Sequence, residues 1–271
     1  MKLTSFGPDV FMDEKNYALS FEEGLVPKSS SSKYFGQVKN LAYDPGGTGD
    51  DELCYTFYQD LMREKDKALF ERYSYTNGIT VLMPGLVGGE CRKNSGHYHD
   101  YVKGHTKTLT EVYEVIAGKA AFLLQESHNF DSEEELKVES MTVVLASEGD
   151  KVIVPPFCAH CISNIGDGPM LFGNLAAPCP LRYDPIQKKH GFGVYILKNS
   201  DGSLKYVPNP HYKALPELRI SYAQEAPDLG LIRTRSLYDS FLEEPEKLEF
   251  LYEPEKYENR VWELIRKGEQ E

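Results

Sequence analysis

Two histidine-containing stretches carry the residues best suited to chemistry. The first has a His-Tyr-His motif at residues 97–99 and is followed by Glu111. Alternate side chains of a β-strand point to the same face, so His97 and His99 can both reach one point. The second stretch, residues 149–164, presents His160 after a β-branched segment and a Pro-Pro pair. Three imidazoles and one carboxylate suit an open octahedral site for Fe, Mn, Ni or Zn; the alternative is a set of unrelated surface histidines.

The elements that must position these residues are short strands. Val112–Ile116 and Lys119–Gln125 are apolar runs on either side of Gly118, which predicts a hairpin. Closely spaced short strands favour a sandwich or a barrel. The other predicted strands are Ile79–Met83, Val138–Ala146, Lys151–Val154, Cys161–Asn164, Met170–Ala176, Gly193–Lys198 and Leu204–Val207.

The N-terminal third is less periodic. Residues 29–32 are four serines, which predict a loop, and residues 34–43 are compatible with a short strand. From Asp51, apolar residues recur near one helical face, so a helix is predicted over Glu52–Lys65 that packs against the barrel. A restart of this helix as far as Arg72 is also compatible with the pattern.

The chain changes character after Pro208. Prolines become frequent and charge density rises, and Leu231–Leu242 and Lys256–Arg266 are predicted to be helices. In the second helix Val261, Trp262 and Ile265 would share one face. Two interpretations stay open for this tail, namely that it wraps the barrel or that it extends a dimer interface.

Composition excludes some classes of function. The 271 residues carry a formal net charge of −12, which argues against binding nucleic acid. The N-terminal segment lacks an apolar core of signal-peptide length, and no run approaches the ~20 apolar residues of a membrane span, so a cytoplasmic location without membrane association is expected. The five cysteines do not form the pattern of a disulfide framework. Cys158 and Cys161 are interpreted as packing residues of the barrel, with a redox or metal role as the alternative.

The motifs together resemble those of a known family. The central stretch from Thr80 to His99 and the later histidine stretch are similar to the cupin-type glucose-6-phosphate isomerases, over roughly residues 75–212. The residues that carry the resemblance are Thr80–Gly85, Gly88–Glu90, Lys93, Gly96–His99, Glu111–Tyr113, Gln125, Tyr183, Gly191–Phe192 and Asn209–Pro210.

The resemblance implies a fold and an activity. The fold would be mainly β, a cupin double-stranded β-helix (jelly-roll) barrel at 73–212, with helical extensions at 1–72 and 213–271. The activity would be a metal-dependent aldose–ketose isomerisation of glucose 6-phosphate and fructose 6-phosphate, in glycolysis and gluconeogenesis. One divalent ion per chain (Fe²⁺, Mn²⁺, Ni²⁺ or Zn²⁺), a phosphorylated sugar as ligand, and a homodimer are expected.

The resemblance also implies roles for individual residues. His97, His99, Glu111 and His160 would hold the metal, and Glu111 would also be the catalytic base. The predicted substrate-binding residues are Thr80, Asn94, Gly96, Tyr113 and Tyr183. Asn94 stands where the family has a threonine, and its side-chain amide can still donate a hydrogen bond to phosphate.

Some features leave alternatives open. The connection over residues 100–110 is longer than in the family, so His105 and Lys107 could reach substrate, or His105 is merely exposed. Lys93 is either a phosphate-binding cation or a solvated strand-edge lysine. Two other classes of function also remain, an iron dioxygenase and a non-catalytic sugar-binding cupin.

Overall fold

A computed structural model describes residues 1–3 and 6–268 of the chain. The first nine strands are β1 (Lys2–Leu3), β2 (Val10–Met12), β3 (Leu19–Phe21), β4 (Ser29–Tyr34), β5 (Leu53–Gln59), β6 (Thr76–Leu82), β7 (Leu86–Val87), β8 (Glu90–Cys91) and β9 (Tyr98–His99). The next seven are β10 (Glu111–Ala117), β11 (Lys119–Glu126), β12 (Ser140–Ser147), β13 (Lys151–Val154), β14 (Cys158–Asn164), β15 (Met170–Ala176) and β16 (Leu181–Arg182). The last three are β17 (Val194–Lys198), β18 (Leu204–Pro208) and β19 (Leu218–Tyr222).

The helices are short except for the last. They are α1 (Phe35–Val38), α2 (Lys67–Tyr73), α3 (Asp184–Lys188), α4 (Leu237–Glu243) and α5 (Pro254–Lys267). Single 3₁₀ segments lie at Lys39–Leu41, Glu64–Asp66, Pro227–Leu229 and Pro245–Leu251. In the part of the chain that the structure describes, none of these helices has the length and apolar character needed to span a membrane.

Two sheets form the central architecture. One has the strand order β13-β10-β15-β6-β5-β4, and the other has the order β14-β11-β12-β19. The chain runs from β10 in the first sheet to β11 and β12 in the second, and returns to the first at β13. It then crosses to the second sheet at β14 and returns at β15, and such crossings between two facing sheets are typical of a jelly roll. Side chains from both sheets meet between them, including Val115 on β10 and Phe122 on β11. The predicted mainly β fold with a jelly-roll arrangement of two sheets is confirmed.

The turn at Gly118 forms as predicted, but the predicted hairpin does not. β10 and β11 are joined by Gly118, whose φ is +90°. A Cβ at this position would lie 3.1 Å from the Pro169 carbonyl oxygen, so the turn requires both the backbone freedom and the small size of glycine. The two strands do not pair with each other, because the turn carries the chain from β10 in the first sheet to β11 in the second.

Three predictions for the N-terminal third were wrong. Glu52–Lys65 is not a helix, because residues 53–59 form β5, which pairs with β6 through Tyr55–Leu82 and Phe57–Thr80. The four serines, predicted to be a loop, belong to β4, and residues 35–41, predicted to include a strand, are helical. The restart of the helix exists as α2. Pairing with β6 supplies hydrogen bonds between residues distant in sequence, and these override local propensity.

The C-terminal tail wraps the barrel. Both predicted helices are present, as α4 and α5, and α5 buries Val261, Leu264 and Ile265 while Trp262 stays partly exposed. Residues of α4 and the following 3₁₀ segment share a core with outward-facing residues of the six-stranded sheet such as Ile79. The sequence had not predicted β19, which pairs in parallel with β12. The division at residues 1–72, 73–212 and 213–271 stays a prediction, and its last three residues lie outside the described range.

Candidate metal centre and its cavity

A tight backbone approach positions the histidine pair. His97 and His160 exchange backbone hydrogen bonds, from the His97 amide to the His160 carbonyl at 3.3 Å and in the reverse direction at 3.1 Å. Gly96, with φ of +67°, precedes this contact, and a Cβ there would lie 2.6 Å from the His160 carbonyl oxygen. Only glycine therefore lets the loop come close enough to bring the first histidine stretch against β14.

The four predicted ligands converge inside the barrel. His97, His99, Glu111 and His160 each offer one donor atom, and all four donor atoms lie within 4.8 Å of one another. The Glu111 Oε2 atom is 3.1 Å from His99 Nε2 and 3.3 Å from His160 Nε2. In an octahedral complex with bonds of about 2.1 Å, adjacent ligand atoms are about 3.0 Å apart and opposite ones about 4.2 Å. The set therefore has the dimensions of a site for one transition-metal ion.

Hydrogen bonding around His99 supports the same interpretation. The Nδ1–H of His99 donates to the Leu109 carbonyl oxygen at 2.8 Å, so its Nε2 atom is the one that faces Glu111. A neutral ring in this tautomer would turn a lone pair toward the carboxylate, and the two would repel unless a proton or a metal ion lay between them. A carbonyl that fixes the tautomer of a histidine is the usual second-layer partner of a metal-binding imidazole.

Burial and the short contacts shift the titration of the site. Burial lowers the pKa of His97 well below its usual range, and the neighbouring His160 and His99 act in the same direction. Burial opposes ionisation of Glu111, but hydrogen bonds from His160 and His99 outweigh it and hold the pKa of Glu111 well below its usual range. Burial opposes protonation of His99, but hydrogen bonds with Cys179 and Glu111 outweigh it and hold the pKa of His99 well above its usual range. Because a metal ion binds a deprotonated carboxylate and neutral imidazoles, its binding here would release the proton of His99.

Two further side chains fix the orientation of the four. The Nδ2–H of Asn174 on β15 donates to Glu111 Oε1 at 2.9 Å. The hydroxyl of Tyr113 lies 2.9 Å from His160 Nε2. Glu111 thus turns one oxygen toward the histidines and the other toward Asn174. Asn174 is not among the site residues predicted from the sequence, although it is the one strongly polar residue in the predicted strand 170–176.

A cavity of about 680 Å³ opens onto this centre. Its volume suits a small ligand, because ligand pockets are typically a few hundred to a thousand Å³. The five predicted substrate-binding residues all line it, namely Thr80, Asn94, Gly96, Tyr113 and Tyr183. The Oδ1 atom of Asn94 accepts from the Ile162 amide at 2.8 Å, which leaves its NH₂ group as the available donor. The ring of Tyr183 packs on His97 with centroids 5.3 Å apart.

Several other candidates lie elsewhere. Lys93 forms an ion pair with the buried Glu90 and stacks over Tyr195, so it is neither a cavity residue nor a solvated edge lysine. His105 and Lys107 do not reach the cavity, because Glu255 and Glu258 of α5 bind them. His105 is not merely exposed either, since 11% of its side chain is accessible.

The two cysteines of β14 do not add to the site's chemistry. Cys158 and Cys161 are both buried with free thiols, and they pack in different hydrophobic clusters because an odd spacing on β14 turns them to opposite faces. Their interpretation as packing residues agrees with these positions.

The fold and the site together define a class of protein, a jelly roll with a buried cluster of three histidines and one carboxylate at the base of a cavity. The family profile described as Glucose-6-phosphate isomerase (GPI) matches residues 36–213, and this chain belongs to that family.

Curated relatives agree with the assignment. The glucose-6-phosphate isomerase of Pyrococcus furiosus is 30% identical over 205 residues, which cover 72% of this chain and 95% of the relative. That of Thermococcus onnurineus is 30% identical over 206 residues, with the same coverage. That of Thermococcus litoralis is 29% identical, covering 72% of this chain and 94% of the relative.

Proposed function

We propose that this protein is a metal-dependent aldose–ketose isomerase that interconverts glucose 6-phosphate and fructose 6-phosphate. The observation that carries the proposal is the position of Glu111, a buried carboxylate within 3.3 Å of two imidazoles at the base of a cavity of substrate size. Membership of the glucose-6-phosphate isomerase family supports the choice of reaction. We also propose a cytoplasmic location and a place in sugar phosphate metabolism.

We propose one divalent ion per chain, Fe²⁺, Mn²⁺, Ni²⁺ or Zn²⁺, held by His97, His99, Glu111 and His160. When bound, such an ion supplies Lewis-acid stabilisation of negative charge that develops on the sugar oxygens during isomerisation. The dimensions of the donor set and the fixed tautomer of His99 support this assignment.

Glu111 is assigned the proton transfer. Its carboxylate takes the proton from C2 of the open-chain aldose and returns it to C1, while a hydroxyl proton moves from O2 to O1. The two oxygens of Glu111 have different partners. Oε2, beside the histidines, would serve as the metal ligand, while Oε1, which accepts a hydrogen bond from Asn174, would accept and return the proton. A carboxylate oxygen that is bound to a metal is a poor base. Because a different oxygen takes each role, Glu111 can act both as a ligand and as the base.

The remaining cavity residues are assigned to substrate binding. The Thr80 hydroxyl and the free NH₂ group of Asn94 are neutral donors for a phosphate, and the Gly96 backbone lines the same cavity. The hydroxyl of Tyr113 contacts His160, and Tyr183 covers His97 at the cavity wall. These groups orient the sugar and keep water from its reacting carbons.

Exposed sheet edges favour self-association. β4 is the last strand of its sheet in the described part of the chain, and it is rich in serine. Edge strands present unpaired backbone groups, so we propose that the protein forms a homodimer. A monomer mass by light scattering at micromolar concentration would contradict this.

Replacement of Glu111 tests the proposed function. Glu111→Gln keeps the size of the side chain but removes its charge and basicity, and the isomerase rate should fall by roughly 10²–10⁴-fold. Glu217→Gln, an exposed residue away from the cavity, is the matched control and should keep the full rate. Metal content is measured beside the rate, because Glu111 has two assigned roles. A fully active, metal-loaded Glu111→Gln protein would reject the base role.

Solvent exchange distinguishes proton transfer from a hydride shift. Transfer through an enediol allows the hydrogen from C2 to exchange with solvent, so deuterium from D₂O should appear in the product. A direct hydride shift would leave the product unlabelled and would remove Glu111 from the role of base.

A further inference from the structure

The charges of the cavity wall leave one lysine free. A sugar phosphate carries about two negative charges at neutral pH. The neighbouring cations are already engaged: Lys93 with Glu90, Arg182 with Asp100, and Lys189 with Glu135. Lys33 of β4 lines the cavity, is partly buried, and has no ion pair or hydrogen-bond partner for its ammonium group among the described residues.

Strand pairing places Lys33 near the neutral phosphate donors. Lys33 lies directly opposite Tyr55 on β5, so the two side chains share a face of the sheet. The Tyr55 hydroxyl is 3.0 Å from the hydroxyl of Ser95, which separates Asn94 from Gly96 in the chain. Lys33 therefore borders the end of the cavity at which the donors of Asn94 and Gly96 lie.

Thr80 reaches the same region from the next strand. It lies opposite Phe57 on β5, two residues along from Tyr55, and faces the cavity. β4 is two strand spacings from β6, about 10 Å, and a lysine spans part of that distance with its flexible four-carbon stem. A phosphate bound by Thr80 and Asn94 would therefore meet the ammonium group at the β4 end of the same sheet face.

The two acidic residues that line the cavity, Asp60 and Glu111, do not compete for this lysine. Asp60 also lines the cavity, but Lys28 lies 3.5 Å from its carboxylate. Glu111 is engaged by His99, His160 and Asn174. Without Lys33, this wall would offer an anion only neutral donors.

We infer that Lys33 is a specificity-determining residue that binds the phosphate group of the substrate and selects phosphorylated over unphosphorylated sugars. The inference rests on the proposed isomerase function. It assigns a substrate-binding role to a strand of the N-terminal segment, and it explains why β4 and β5 extend the sheet over the cavity. Lys33 binds by charge and takes no part in proton transfer, so its loss should raise KM and leave kcat close to its original value.

The test compares Lys33→Gln with Lys205→Gln in the metal-loaded protein. Lys205 is an exposed lysine on β18 that does not line the cavity. Affinity for sorbitol 6-phosphate and for inorganic phosphate is measured by calorimetry, and KM and kcat are measured with glucose 6-phosphate. Lys33→Gln should weaken binding of both phosphate probes by roughly 10- to 100-fold, the usual range for losing one charge-assisted hydrogen bond. Lys205→Gln should leave all values unchanged, and Lys33→Arg should restore most of the affinity because it restores the charge.

The outcomes separate the two proposals. If the unmodified protein converts glucose 6-phosphate but Lys33→Gln binds both phosphate probes as tightly as Lys205→Gln does, the role of Lys33 is rejected and the isomerase proposal stands. If the unmodified protein converts no glucose 6-phosphate but Lys33→Gln weakens phosphate binding, the isomerase proposal is rejected and Lys33 stands as a phosphate-binding residue. A fall in kcat with unchanged KM and unchanged phosphate affinity would also overturn the inference.

Discussion

The strand that carries Glu111 also holds a buried ion pair on its other face, and breaking that pair should destabilise the protein in a pH-dependent way. Glu114 Oε1 lies 3.0 Å from Lys151 Nζ, and both side chains are 2% exposed. Lys151 also donates to the carbonyl oxygens of Gly149, Ile232 and Arg235 at 2.7–2.9 Å. The pair therefore joins the barrel to the C-terminal tail. Lys151→Met leaves Glu114 buried without its cation.

The expected loss in the free energy of unfolding is about 3–5 kcal/mol near neutral pH, the usual cost of removing one partner of a buried pair. Burial already raises the pKa of Glu114 to about 7, from 4.5 in the unfolded chain. The pKa of Glu114 is higher in the folded protein than in the unfolded chain. Its contribution to the free energy of unfolding is therefore complete below pH 4.5 and is lost as the pH rises to about 7. The difference of 2.5 pKa units, 7 minus 4.5, corresponds to about 3 kcal/mol.

The variant should therefore be least impaired in acid. Without Lys151, the folded pKa of Glu114 rises above 7, so the stability difference between variant and unmodified protein should grow from pH 5 to pH 8. Urea unfolding at both pH values measures it. The control is Glu114→Gln/Lys151→Met, in which Gln keeps an acceptor for the Leu237 amide, at 2.7 Å from Glu114 in the unmodified protein. The double variant should recover the stability that Lys151→Met loses through the unpaired Glu114 carboxylate, but not the part that comes from the three Lys151–carbonyl hydrogen bonds, and it should lose the pH dependence. A Lys151→Met penalty below about 1 kcal/mol, or one equal at both pH values, would refute this reasoning.

Two further predictions follow from single hydrogen-bonding residues. Asn174→Ala removes the donor to Glu111 Oε1 and should lower metal affinity or kcat by roughly 10–100-fold, measured by chelator competition and initial rates; unchanged values would remove its orienting role. Glu255 accepts hydrogen bonds from the Thr106 amide at 2.7 Å and the Lys107 amide at 3.2 Å. Glu255→Ala removes the acceptor and should speed hydrogen exchange of these amides by roughly fivefold, about 1 kcal/mol after allowance for partial exposure. Equal exchange rates would show that α5 does not hold this loop.

Short stretches of sequence correctly predicted those elements whose formation depends on neighbouring residues. The turn at Gly118 follows from two apolar runs separated by a residue that tolerates positive φ. The placement of these two strands in different sheets does not follow from that signal. By contrast, the spacing of Leu53, Phe57 and Leu61 imitates a helical face, although the segment is a strand. This segment becomes a strand because it pairs with β6, some twenty residues away. A short window of sequence does not show that partner.

The same distinction applies to the candidate site. His97, His99, Glu111 and His160 could be proposed from residue type, strand alternation and resemblance, and the structure brings their donor atoms together. Asn174 and Lys33 could not be found in this way. Their positions depend on how β15 and β4 pair with distant strands, and in isolation each is an ordinary polar residue on a strand.

Conversion of glucose 6-phosphate to fructose 6-phosphate, followed in a coupled assay before and after metal removal, tests the central claim most directly. The metal-loaded protein should convert the substrate, lose at least roughly 100-fold of its rate after chelation, and regain it when a divalent ion is returned. The His97→Ala/His160→Ala protein should bind little metal and stay inactive throughout. No conversion by the metal-loaded protein, or a full rate in protein shown by elemental analysis to be free of metal, would contradict the account.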